Sequence, residues 1–174
     1  MVPGVRDRLL LVVVAVTLTV ALAAPPVGAS VVAKRLKPCS VLTNVELEPI
    51  FERPFRIGIE DDGGNCLFRK PQLLKKDDIL VSVMPARYGS VAQAKQKFAK
   101  AKGLTTELAG QVEDVASGDA AFYTILIGTD LVTMRVGRTV TSIRVENNDD
   151  DEATYHDQAI AIAQAIAVRL ATSP

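Results

Sequence analysis

A single α+β domain built on an antiparallel sheet of five to six strands is what this chain of 174 residues calls for. Short β-rich segments separated by turn residues fill the stretch from Phe55 to Glu146. Two longer segments, Ser90–Lys102 and about Ala153–Ala171, carry apolar residues at helical spacing. Cys39 and Cys66, the only cysteines in the chain, bracket the first helix and the first strands.

The chain opens with Arg6 and Arg8, an apolar run from Leu9 to Ala24, and the small-residue stretch Pro25–Ser30. That order of basic, apolar and small residues is a secretory signal peptide, residues 1–29, with cleavage after Ala29 expected and Ala23 as a second choice. A retained anchor is the rival reading, but the run is shorter than the roughly 20 residues a spanning helix requires. No cysteine directly follows the cleavage site, so no lipid anchor and no stable membrane attachment after cleavage are expected. What remains is a flexible lead, 30–36, and one domain, 37–172. Loss of Arg6, Asp7 and Arg8 leaves a net charge of −1, which argues against a nucleic-acid partner. Export to an oxidising compartment makes a Cys39–Cys66 disulfide the default; a metal pair would need further ligands that are not at hand.

Thr43-Asn44-Val45-Glu46 has the spacing of a capping box, and Leu47, Ile50 and Phe51 continue a short helix in which Pro49 is awkward. Phe55–Glu60 and Cys66–Lys70 read as strands about an Asp61–Gly64 turn, and Ile79–Met84 as a third. Ser90 caps a helix that Gly103 should stop, and its lysines border an apolar stripe, as stems covering a helix edge do. Strands follow at Ala121–Ile127, Leu131–Val136 and Thr139–Glu146. Gly137-Arg138 makes a two-residue hairpin that sets Val132 opposite Ile143, Thr133 opposite Ser142 and Met134 opposite Thr141. Gly128–Asp130 should join the preceding pair of strands through a bulge. The last helix buries Tyr155, Ala159, Ile162, Ala163, Ile166 and Leu170. Both long helices are expected on one sheet face, with the first helix clipped to the sheet by the disulfide.

Pro38-Cys39-Ser40-Val41-Leu42-Thr43 with Glu46, Cys66-Leu67-Phe68, and Gly118-Asp119-Ala120-Ala121-Phe122 together resemble a group of actinobacterial secreted and lipid-anchored envelope domains of unknown function. Members start Pro-Cys-Ser-Leu-Leu-Thr, pair that cysteine with one preceding an aromatic residue, and carry a Gly-Asp-x-Ala-Phe stretch. The resemblance covers about residues 37–170 and implies an exported α+β domain with no assigned activity. The missing lipobox and Pro49 depart from it.

Candidate chemistry is sparse. His156, the only histidine, falls on the apolar arc of the last helix and would have to serve, with an acid such as Asp157, in any secreted hydrolase of the Ser-His-acid type. No nucleophile elbow accompanies it. The acidic run 147–152 lacks the spacing of a calcium loop and complements the helix dipole that follows. No cofactor is called for. The expectation is an exported, non-enzymatic binding or accessory module meeting an envelope or extracellular partner. Its candidate ligand-binding residues are Tyr123, Ile125 and Ile127, on a sheet face that either remains partly open as a pocket or is covered as a second core layer.

Overall fold

The computed structural model describes residues 36–69, 79–147 and 154–172, all within the unit Val31–Pro174. Seven antiparallel strands form one sheet: β1 (Ile59–Glu60), β2 (Cys66–Arg69), β3 (Ile79–Arg87), β4 (Glu113–Val115), β5 (Ala120–Leu126), β6 (Thr129–Val136) and β7 (Thr139–Asn147), in the spatial order β1-β2-β3-β7-β6-β5-β4. Among the described residues three α-helices accompany it, α1 (Asn44–Phe51), α2 (Val91–Ala109) and α3 (His156–Thr172), after a 3-10 turn at Pro38–Ser40. The α+β class and the antiparallel sheet hold. The sheet is wider than expected because Glu113–Val115, too short and polar to announce itself, adds an edge strand against β5.

Register follows turn chemistry. Gly137, at φ 54°, supplies the left-handed turn position, and the β6–β7 pairs Val132–Ile143, Thr133–Ser142 and Met134–Thr141 stand as expected. The β5–β6 connection differs. Leu126 closes directly on Thr129 with no bulge, through a two-residue turn in which Ile127 (φ 51°) and Gly128 (φ 71°) are both left-handed. A β-branched residue is disfavoured there, so the sequence pointed to a longer joint. Ile127 is consequently a turn residue, 96% exposed, and lies on no sheet face.

Alternation divides the sheet into two unlike faces. Phe68, Val81, Val83, Tyr123, Val132, Met134, Ile143 and Val145 point to one side, where α3 lays Ala159, Ile162, Ala163 and Ile166 against them. Helix α1 packs on α3 there, with Leu47 and Phe51 in the same core. Phe122 points the other way and meets Phe98 of α2, with ring centroids 5.5 Å apart. The two long helices therefore lie on opposite faces rather than on one. β3 is separated from β4 by three strands, so α2 must cross β7, β6 and β5 to deliver the chain to the far edge. It does so on the face where Thr133, Ser142 and Arg135 alternate with Phe122 and Val140, which suits a helix of lysines and alanines.

Helix α2 runs past Gly103 and ends at Gly110, which takes the left-handed C-cap position at φ 77°. Gly103 costs only about 1 kcal/mol inside a helix, and the helix continues through Leu104–Ala109. Ser90 caps the start, its Oγ accepting from the Gln93 amide at 3.2 Å. In α1 the Glu46 carboxylate accepts from the Thr43 amide at 2.8 Å and from the Thr43 hydroxyl at 2.7 Å. Pro49 deprives the Val45 carbonyl of a partner, but both residues are exposed, so water can serve it. The expected strand from Phe55 contracts to Ile59–Glu60. Phe55 instead turns into the core beside Phe51, and the acidic run beyond Asn147 and the Lys70–Asp78 connection lie outside the described residues.

Cys39 and Cys66 are bonded, with Cα atoms 4.9 Å apart, across a separation of 27 residues. The bond ties the 3-10 turn to β2, and Gly58 passes so near it that a Cβ there would lie 2.4 Å from the Cys66 sulfur. On the loop-entropy account the bond contributes about 3.5 kcal/mol. Replacing both cysteines by serine should lower the free energy of unfolding in urea by about that amount with an unchanged fold by circular dichroism.

Candidate functional site

Of the side chains singled out from sequence, Tyr123, Ile125 and His156 lie toward one edge of the sheet, and Ile127 does not join them. Helix α2 ends at Ala109, Gly110 turns the chain, and Gln111 and Val112 approach β5 ahead of the pairing that begins with Glu113 opposite Tyr123. A cleft of about 360 Å³ opens between this segment and Tyr123–Ile125, with Ala109 at one side. The Thr124 hydroxyl donates to the Gln111 carbonyl at 2.8 Å and spans the two walls. Tyr123 and Ile125 share the α3 side of the strand, but they part company there: Tyr123 is 7% exposed and Ile125 47%. Neither belongs to an uncovered face. The pocket reading fits Ile125 and the second-core-layer reading fits Tyr123, while Ile127 belongs to neither.

Tyr123 has a buried polar partner. Its hydroxyl donates to Asp130 Oδ1 at 2.5 Å, and Asp130 Oδ2 accepts from the Tyr155 amide at 2.9 Å. Burial, followed by the hydrogen bond to Asp130 and the Asp130 and Glu113 charges, raises the Tyr123 phenol well above its usual range. Tyr123 is a neutral donor at any physiological pH. The Tyr155 carbonyl accepts the first helical bond from the Ala159 amide at 2.8 Å, so Asp130 fixes the residue from which α3 starts.

His156 is the first residue of α3. Its ring stands edge-on to Tyr123, centroids 4.5 Å apart. Nδ1 lies 2.8 Å from Asp157 Oδ1 and Nε2 lies 3.3 Å from Glu113 Oε2. The hydrogen bond to Asp157 leads in raising the imidazole pKa above its usual value; slight burial opposes it, and Glu113 adds to it. Both ring nitrogens thus face carboxylates, and neither is left for a serine or threonine hydroxyl. A hydrolytic dyad needs one nitrogen on the acid and the other on the nucleophile. Glu113, which both lines the cleft and reaches His156, was invisible in the sequence. Only the pairing of β4 with β5, Glu113 opposite Tyr123, brings it to this place. Among the described residues no group of His, Cys, Asp and Glu could hold a metal ion. No family model, curated protein or solved structure matches the chain.

Tyr123→Phe leaves Asp130 buried with one donor fewer and should cost about 1–3 kcal/mol, read from urea unfolding at pH 7, with little loss of packing. Because the His156 pKa is raised on folding, the stability it contributes is fully present below its unfolded pKa of about 6.5. That contribution is lost as pH rises through the folded value. The difference in melting temperature between the wild type and His156→Gln should therefore shrink from pH 5.5 to pH 8.5, and Glu113→Gln should lower the His156 pKa followed by NMR.

Proposed function

We propose that this chain is an exported cell-envelope or extracellular domain that works as a non-enzymatic binding or accessory module, with the cleft between Gln111–Glu113 and Tyr123–Ile125 as its contact site. The observation that carries the reading is the engagement of both His156 nitrogens by carboxylates, which leaves the site recognition groups but no free base. Ile125 offers an apolar surface, and Gln111 and Glu113 offer polar ones at the rim. Export is supported by the leader, residues 1–29, and by the Cys39–Cys66 bond, which fits an oxidising compartment. No described helix is long and apolar enough to cross a membrane. The resemblance to actinobacterial envelope domains points the same way.

Fractionation of the producing cell tests the compartment. The mature protein should be recovered from medium or envelope, beginning near Ser30 and yielding a non-reduced peptide pair joining Cys39 to Cys66. Retention in the cytoplasm with two alkylatable thiols would refute it. Ile125→Asp should keep the melting temperature and lose the envelope component that the wild type captures. Turnover of a fluorogenic ester or peptide that vanishes in His156→Ala would instead make the protein a hydrolase.

A further inference from the structure

At the other end of the strands lies a second cleft that has no part in the site above. It occupies about 400 Å³ where the end of β3, the β6–β7 turn, the start of α2 and the last turn of α3 meet. That volume is in the range of small-ligand sites, about 300–1,000 Å³. Its walls are of two kinds. Leu36, Val91, Val136 and Leu170 are apolar, and two cationic residues, Arg87 and Arg138, line the same space.

Nothing described neutralises those charges. Neither guanidinium has a hydrogen bond or ion pair among the described residues. The other charged groups at this turn are already matched: Asp119 accepts from Arg135 at 2.6 Å and from the Gly137 amide at 2.8 Å. Arg169, in the last turn of α3, is turned away to Glu46 at 2.8 Å. Cations in water would leave an apolar-walled cleft alone; cations that border one favour a ligand whose apolar part displaces water there while its anionic end meets the guanidinium groups.

From this we infer that the cleft is a binding site for an amphiphilic anion, a single alkyl chain carrying a phosphate or carboxylate head. The alkyl chain lies against Leu36, Val136 and Leu170, and the head group is held by Arg87 and Arg138. The two head groups share this chemistry, and the guanidinium fork accepts either.

Titration of the full chain, purified as its host produces it, decides the matter. The probes are dodecyl phosphate, dodecanoate, dodecyltrimethylammonium and inorganic phosphate, each below micelle formation, followed by calorimetry and by amide shifts. One or both dodecyl anions should bind, the tighter naming the head group, with shifts at Val136–Thr139 and Leu170–Ala171. The double variant Arg87→Gln, Arg138→Gln should keep its melting temperature and bind about tenfold or more weakly. Equal binding of the ammonium amphiphile, undiminished binding by the double variant, or shifts confined to Ala109–Ile125 would each overturn the assignment. Inorganic phosphate binding as tightly as dodecyl phosphate would overturn it too, since the apolar walls would then contribute nothing, as would no binding by either anion. If the double variant fails to fold, Leu170→Gln serves in its place and should weaken the dodecyl anions; no change would overturn the proposal.

Discussion

Asp130 is 3% exposed, and a carboxylate taken that far from water is costly unless its oxygens are met by donors. Here one oxygen accepts from the Tyr123 hydroxyl on the neighbouring strand and the other from the Tyr155 amide ahead of α3. Those two bonds couple three elements. They hold β5 to β6 beyond the backbone ladder, fix where α3 begins, and so decide which residues of that helix face the sheet. The positions of Ala159, Ile162, Ala163 and Ile166 over the central strands follow from that starting point. So does the seating of His156 against the Tyr123 ring, within reach of Glu113.

The sheet also has to be closed from both sides, and its two faces ask for different helices. Beneath α3 the face is largely apolar, with Asp130 and Thr141 as buried exceptions, and small residues let the helix approach closely. Beneath α2 hydroxyls and an arginine share the surface with Phe122 and Val140, and Ala94 with Phe98 supplies the contact that a largely polar helix needs. The long crossing from β3 to β4 forms that second layer.

Much of this was legible. The β6–β7 register could be read from period-two alternation about Gly137-Arg138, the apolar arc of α3 from its 3.6-residue period, and the disulfide from the only two cysteines together with the expectation of export. The segments that carried the family resemblance proved to be structural. Cys39 and Cys66 are the bond itself, and Gly118, at φ 58°, stands where a Cβ would be 2.6 Å from the Arg135 carbonyl, with Asp119 bracing Arg135 and the Gly137 amide. Non-local facts escaped. Glu113 acquires a role only through strand pairing, and the sharing of labour between helices depends on strand order, which no local pattern encodes. Ile127 misled because a β-branched residue in a left-handed turn position runs against propensity. Tyr123 and Ile125 were rightly linked by parity, yet parity says nothing of which one the first turn of α3 covers.

Pro85 sits inside β3, a strand with neighbours on both sides, where a missing amide would ordinarily break a ladder. Counting from the Val136–Thr139 closing pair, odd residues of β3 turn their amides away from β7, and β2 reaches only as far as Val83. Proline therefore stands at the first position where β3 has an open flank. With two-residue β1 and three-residue β4 as the outer strands, the sheet among the described residues presents no long outer strand for another molecule to adopt as a template. A chain of net charge +0 has little electrostatic repulsion to keep its copies apart. In crowded surroundings its colloidal stability rests on these blunted margins.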